Sequence, residues 1–158
     1  MKKFGSYRIL KEHKTIIEYH AGDISPTEFL NSRKIISSDK EYNPGFDVIL
    51  NYRDTNMFFE PEDIDNFVNY FKKYDPIIGQ RKSAFITKKP NQVVFTTLFS
   101  DGTEDIPVNI GTFCTTKAVF NWIGNTNFNV KYLNDIFKEL KNSPNTLYSM
   151  EIINKKVR

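Results

Sequence analysis

The sequence predicts an α/β domain with a mixed, mainly parallel sheet of about five strands and an extra C-terminal helix. Short runs rich in β-branched and aromatic residues alternate with amphipathic helical patterns, as they do where helices connect parallel strands. The first two runs are separated by only two residues, which predicts an antiparallel hairpin. The 158 residues are 39% hydrophobic and 15% aromatic, enough for one core without disulfides. We therefore expect a single domain over residues 1–158.

The chain begins with the predicted hairpin, formed by residues 7–12 and 15–20. The next segment, 25–28, has the sequence Ser-Pro-Thr-Glu. This is a capping box, in which the serine and the glutamate bond each other's backbone amides. Its proline has the backbone angle that a first helical residue needs. A helix is therefore expected from Pro26 to about Ser37.

The third strand is predicted at the centre of the sheet. Residues 46–52 form a nearly continuous apolar run, which is typical of a strand buried on both faces. A second helix begins at Pro61, where Glu62 and Asp63 complement the positive end of the helix dipole. Its apolar side chains recur with helical spacing. They are Ile64, Phe67, Val68 and Phe71.

The next part of the chain contains one ambiguous segment between two predicted strands. The strands are residues 83–87 and 106–110, and Pro107 in the second indicates a sheet edge or a strand start. Residues 92–100 are rich in β-branched and aromatic side chains, so propensity favours a strand. The alternation of strands with helices and the preceding Lys-Pro-Asn favour a helix, which we prefer.

Two further helices are predicted before the end of the chain. Thr115 or Thr116 caps a short one, and Gly124 closes it in a left-handed conformation. The last begins at about Val130 and carries one apolar stripe that covers either the same domain or a second copy of the chain. The stripe consists of Leu133, Ile136, Phe137 and Leu140. The tail is expected to add a short strand near residues 147–153.

The order of elements resembles that of the STAS and SpoIIAA-like superfamily over residues 5–124. The resemblance rests on the opening hairpin and on residues 46–54, which lead into the Pro61 helix. It also rests on residues 116–124, which look like the Ala-x-x-x-Trp-hydrophobic ending of SpoIIAA-like proteins. It implies a SpoIIAA-like fold and a small cytoplasmic regulatory module. Residues 125–158 then form a helical extension and tail.

The resemblance also implies a candidate binding loop after the third strand. Anti-sigma-factor antagonists of the superfamily carry a phosphorylatable Ser or Thr there. The corresponding residues here are Arg53, Asp54, Thr55, Asn56, Phe58 and Phe59. Only Thr55 matches the phosphorylated position, and no glycine follows it, so an ordinary loop threonine is the preferred interpretation.

Phe58 and Phe59 have two interpretations. Related SpoIIAA-like domains resemble the CRAL-TRIO lipid-binding fold, which implies a pocket for an apolar ligand between sheet and helices. The two phenylalanines would line or gate that pocket. The preferred interpretation is that one packs against the start of the helix as a hydrophobic staple and the other is partly exposed.

No pattern typical of catalysis or metal binding is found in the sequence. His13 and His20 are the only histidines, and no second cysteine gives metal-ligand spacing. The single cysteine, Cys114, has no charged neighbour to activate it and is predicted to be a buried structural thiol. No glycine-rich phosphate loop is present. We therefore expect no enzymatic activity, no metal and no cofactor.

Charge and hydropathy restrict the partners. The 22 Lys and Arg and 19 Asp and Glu residues are interleaved and give a net charge of +3, which does not favour nucleic-acid binding. No run has the length of a signal sequence or a membrane span, so a cytoplasmic location is expected. The predicted function is a non-enzymatic regulatory module that binds a regulatory protein or a second copy of itself. The alternative is binding of a lipid or another apolar small molecule.

Overall fold

The computed structural model describes residues 2–74, 80–124 and 128–148. Their strands are β1 (Phe4–Leu10), β2 (Thr15–Asp23), β3 (Asp47–Asn56), β4 (Arg81–Ile86) and β5 (Val108–Phe113). Their α-helices are α1 (Pro26–Ser37), α2 (Pro61–Tyr74), α3 (Pro90–Gly102), α4 (Thr116–Ile123) and α5 (Val130–Lys141). None of these helices has the length and apolar composition needed to cross a lipid bilayer.

The five strands form one mixed sheet in which spatial order follows chain order, β1-β2-β3-β4-β5. β1 is antiparallel to β2, and the remaining pairs are parallel. The predicted hairpin, the central position of β3 and the edge position of the strand after Pro107 are therefore confirmed. The hairpin turn is a 3-10 turn over Lys11–His13 that closes at Lys14 with φ of 50°.

The sheet separates two apolar cores because alternate side chains of a strand point to opposite faces. On β3, Val48, Leu50 and Tyr52 enter the first core, which contains the buried faces of α1, α2 and α3. Ile49 enters the second core, which lies under α4 and α5. The helices that connect successive parallel strands thus lie together on one face, as expected for crossovers of one hand.

The ambiguous segment at residues 92–100 is helical, within α3. Phe95 and Phe99 are buried in the first core, so tertiary packing outweighs the β-propensity of the segment. The buried side chain of Gln92 caps the start of the helix. Its side-chain oxygen accepts from the amides of Lys88 and Lys89, at 2.7 and 3.0 Å.

The predicted capping box of α1 is also present. The Ser25 hydroxyl accepts from the amide of Glu28 at 3.2 Å, and the Glu28 carboxylate accepts from the amide of Ser25 at 2.8 Å. Glu28 is also paired with Lys3. Thr115 caps α4, and Gly124 ends that helix with φ of 70°. These local predictions held because the atoms involved are close in sequence.

The final helix covers its own sheet rather than a second copy. Leu133, Ile136, Phe137 and Leu140 all lie in the second core with residues of β2. The segment 143–148 then crosses the edge of β1, where the amides of Thr146 and Leu147 donate to the Gly5 carbonyl at 3.1 and 3.2 Å. We call this segment the C-terminal strap. Leu147 and Tyr148 are not in a strand, and the rest of the predicted strand, 149–153, lies outside the described residues.

Gly5 is required by the strap. A Cβ atom at Gly5 would lie 2.5 Å from the ring of Tyr148 and 3.1 Å from the Leu147 side chain. The strap therefore reaches the sheet only where β1 lacks a side chain. Through it, Leu147 and Tyr148 enter the first core, although α5 lies on the other face.

Candidate functional site

The candidate site lies at the end of the sheet formed by the carboxyl termini of the parallel strands β2 to β5. In α/β sheets, this is where ligands most often bind. The sequence placed residues 53–59 in a loop here. Instead, Arg53 to Asn56 are the last four residues of β3, because β2 continues the ladder and pairs Thr55 with Gly22 and Asn56 with Asp23. Their side chains therefore do not share one surface.

Arg53 and Asp54 line an open cleft of about 750 Å³ on the α5 side, which we call the edge cleft. The sheet and its strand ends supply Tyr19, Asn51, Arg53, Asp54, Lys88 and Cys114. Helix α5 supplies Asn134, Phe137, Lys138 and Lys141. Cys114 is exposed here, so the prediction of a buried thiol is wrong. It follows the last residue of β5, where the chain leaves the sheet and its core.

The charges of the edge cleft are mostly positive. The Tyr19 hydroxyl donates to the Asp54 carboxylate at 2.6 Å. Burial, with the nearby Asp54 charge, raises the pKa of Tyr19, so the phenol stays protonated. The Arg53 Nε donates to the Asn51 side-chain oxygen at 3.1 Å.

Thr55 and Asn56 face away from the cleft. Thr55 is fully buried, and its hydroxyl donates to the Tyr52 carbonyl at 2.6 Å. A kinase would reach it only after local opening of β3. The Asn56 amide donates to Asp23 at 2.7 Å, and its oxygen accepts from Lys89 at 2.7 Å. Asn56 therefore joins the ends of β2 and β3 to Lys89, which precedes α3.

Phe58 and Phe59 behave as the preferred interpretation predicted. The Phe59 ring centroid lies 5.1–5.7 Å from the ring centroids of Phe29 in α1, Phe67 in the middle of α2 and Phe95 in α3. Phe58 is 78% exposed. The residue before it, Met57, is buried, and its carbonyl accepts from the Asn91 amide of α3 at 2.9 Å.

Helix α3 adds further exposed apolar side chains that the sequence analysis did not single out. Val93, Val94 and Leu98 are 43%, 57% and 39% exposed. With Phe58, they make up what we call the apolar surface. A signal was present in the sequence, since residues 93–99 carry apolar side chains on all sides instead of one stripe.

A buried polar cluster lies on the opposite face of β2 from the edge cleft. Glu18 and His20 are both fully buried, and the Glu18 carboxylate contacts His20 Nε2 at 2.9 Å and Arg33 of α1. His20 Nδ1 lies 2.7 Å from the Tyr148 hydroxyl, and its ring stacks on Tyr52 with centroids 4.5 Å apart. We call these five residues the buried cluster. The sequence showed only that Glu18 and His20 share one face of a strand.

The protonation states in the buried cluster follow from burial and pairing. Burial alone would raise the pKa of Glu18, but Arg33 and His20 hold it below its ordinary value. Burial lowers the pKa of His20 despite the nearby Glu18 charge. Glu18 is therefore ionised and His20 neutral near pH 7. His20 then donates from Nε2 to Glu18 and accepts from the Tyr148 hydroxyl at Nδ1.

The described residues offer neither a lipid-sized interior cavity nor a metal site. The cavity between the sheet and the α1–α3 layer, beside Phe29, Leu50 and Phe85, has a volume of about 20 Å³. That is room for one water molecule, not for a lipid. Among residues 2–74, 80–124 and 128–148, no three His, Cys, Asp or Glu side chains are grouped so as to hold a metal ion.

Comparisons with known proteins establish the fold class. No protein-family model and no curated protein sequence matches the chain. Among solved structures, the chain is similar to an uncharacterized protein of the DUF3478 family from Shewanella loihica PV-4, which has a SpoIIAA-like fold. The TM-score is 0.50 at 10% identity, over 77% of this chain and 95% of the other.

The protein is therefore an α/β protein with a SpoIIAA-like fold, as the sequence predicted. At 10% identity, the similarity concerns the fold and does not extend to function.

Proposed function

We propose that this protein is a non-enzymatic interaction module that binds a regulatory protein through the apolar surface. One observation carries the proposal, namely that Phe58 is 78% exposed between two anchored neighbours. Met57 is bonded to α3, and Phe59 is packed among the rings of α1, α2 and α3. The residues on both sides of Phe58 are therefore held in place, and its ring lies at the surface.

An exposed ring on a fixed backbone is the kind of group that dominates a protein interface. Aromatic anchors are enriched among the residues that carry most binding energy, and little entropy is lost when they are already held in place. The Asn91 hydrogen bond ties Phe58 to the first turn of α3, whose solvent side carries Val94 and Leu98. A partner covering these groups would remove apolar area from water.

The other expectations bear on this proposal to different degrees. The resemblance to regulatory SpoIIAA-like modules supports a cytoplasmic regulatory protein as the partner. Because Thr55 is buried and bonded to Tyr52, a switch by phosphorylation at Thr55 has little support. An apolar small molecule as the ligand also has little support, because the cavity beside Phe29 has only about 20 Å³.

Site-specific photo-crosslinking tests the proposal. A benzophenone amino acid is placed at position 58 or 94 in the full chain, in the cells that naturally express it. The matched control places the same group at Tyr132 of α5, an aromatic residue that is also partly exposed, at 39%. We expect one discrete protein conjugate from positions 58 and 94 and none from position 132.

A second variant makes the test decisive. The substitution Phe58→Ser should abolish the conjugate formed from position 94, because the main anchor is gone. An unchanged conjugate, or the same products from position 132, would show that the apolar surface is not the interface. If the conjugate contained two copies of this chain, the partner would be a second copy of the chain instead of a regulatory protein.

A further inference from the structure

The edge cleft has the size and position of a ligand site, independently of the apolar surface. Its volume of about 750 Å³ lies within the roughly 300–1,000 Å³ common for small-molecule sites. Its floor is formed where the parallel strands end, and its wall is α5. The groups that line it come from four strand ends and one helix, so folding brings them together.

The charge of the edge cleft identifies the chemistry of its ligand. Arg53, Lys88, Lys138 and Lys141 face a single carboxylate, that of Asp54. Over the whole chain, 22 basic residues are nearly balanced by 19 acidic ones, so this concentration is local. Like charges lining a concave surface raise the concentration of counter-ions there.

The three lysines of the edge cleft, Lys88, Lys138 and Lys141, have no ion-pair partner among the residues that the structure describes. Asp54 is engaged by the Tyr19 hydroxyl at 2.6 Å. The positive charge is therefore left for an anion from solution.

Arg53 supplies the directional contact. Its Nε donates to Asn51 at 3.1 Å, which holds the guanidinium in place. The terminal nitrogens donate to no other described residue, and two parallel N–H groups match the oxygens of a phosphate or carboxylate. The lysines add charge without such geometry, and Asn134 of α5 adds a neutral donor.

We infer that the edge cleft binds an anionic small molecule through its phosphate or carboxylate group. Arg53 makes the directional contact, and Lys88, Lys138 and Lys141 supply the attraction. This site is distinct from the apolar surface.

The test uses two probes, pyrophosphate and citrate, titrated at low ionic strength into ¹⁵N-labelled full chain. Amide shifts are expected to saturate and to be confined to residues 51–54, 87–88, 114 and 134–141. Binding by pyrophosphate alone identifies a phosphate site, and binding by citrate alone a carboxylate site. Failure of both probes to bind overturns the inference.

Paired variants separate a site from general attraction. The double variant Arg53→Ala/Lys138→Ala should raise the dissociation constant of the probe at least about tenfold. Lys11→Ala with Lys40→Ala removes the same charge from exposed positions at the opposite edge of the sheet and should leave binding nearly unchanged. Equal weakening in both variants, or shifts spread over all surface lysines, would show only non-specific attraction and overturn the inference. The spectra themselves report whether each variant is folded.

Discussion

The two faces of strand β2 carry polar groups in opposite states. Toward α1, Glu18 and His20 are fully buried, and the Glu18 charge is paired with Arg33 while His20 contacts Glu18 and Tyr148. Among the described residues, Glu18 Oε1, Arg33 Nε and the Tyr52 hydroxyl have no hydrogen-bond partner. Toward α5, Tyr19 borders the edge cleft, where lysines have no ion-pair partner among the described residues. Burial of a charge is costly unless it is paired, whereas water screens an exposed one.

This difference separates structural charges from available ones. Inside the protein, the charges of Glu18 and Arg33 already neutralise each other, so little of that charge is available to a ligand. At the edge cleft, unpaired cations cost little because the cleft is open, and they keep their capacity to bind. The comparison predicts large stability losses in the buried cluster and small ones in the edge cleft.

The largest effect is expected from Glu18→Gln. The substitution leaves the charge of Arg33, whose side chain is 10% exposed, without its carboxylate partner. Breaking a buried pair in this way costs about 3–5 kcal/mol, which urea denaturation measures as the free energy of unfolding. The control, Glu139→Gln, breaks the exposed pair with Arg8 and should cost at most about 1 kcal/mol. Similar losses in both variants would contradict the comparison.

A smaller loss is expected from Tyr148→Phe. The ring still fills its place in the core, but the His20 Nδ1 atom loses the hydroxyl that lies 2.7 Å away. An unsatisfied buried acceptor costs about 1–3 kcal/mol. Tyr132→Phe, at an exposed ring of α5, is the control and should change the unfolding free energy little. If Tyr148→Phe left the unfolding free energy unchanged, the hydrogen bond between the Tyr148 hydroxyl and His20 would not stabilise the fold.

The next effect is a dependence of the unfolding free energy on pH, caused by His20. Because burial lowers its pKa in the folded state, the unfolded chain takes up a proton first as pH falls through about 6.5. Stability from His20 is therefore present above that pH and lost below it, by at most about 1.4 kcal/mol per pH unit. Urea denaturation from pH 7 to pH 5 should give a steeper decline for the native chain than for His20→Asn. Equal slopes would contradict a neutral buried His20.

The smallest effects are expected on the open surfaces. Lys138→Ala and Lys141→Ala remove exposed like charges from the edge cleft, and Phe58→Ser removes an exposed ring. Each should change the unfolding free energy by no more than about 0.5 kcal/mol. Thermal and urea denaturation measure this. A loss above 1 kcal/mol would assign the residue to the structure of the protein rather than to binding.

The sequence predicted elements whose atoms are near one another along the chain. The capping box of α1, the hairpin and the apolar stripe of α5 all depend on residues a few positions apart, and all were found. The helix at residues 92–100 needed the alternation of elements as well, because its own propensity favoured a strand.

The candidate site was predicted only in part, because it is tertiary. Arg53 and Asp54 do lie at the carboxyl-terminal end of β3, but the charges that complete the cleft come from Lys88, which follows β4, and from α5. The resemblance implied a loop at Arg53-Asp54, whereas pairing with β2 extends β3 through Asn56. Tyr148 lay in the predicted tail, and nothing local linked it to His20, 128 residues earlier.

That separation has a consequence for synthesis on the ribosome. Since each strand lies beside the one before it, the sheet can grow in the order in which the chain emerges. His20 receives its hydroxyl partner only after 128 more residues, which at bacterial or eukaryotic elongation rates takes roughly 6–26 seconds. During that interval the interior of the nascent domain beside β1 is incomplete, because His20 lacks the Tyr148 hydroxyl.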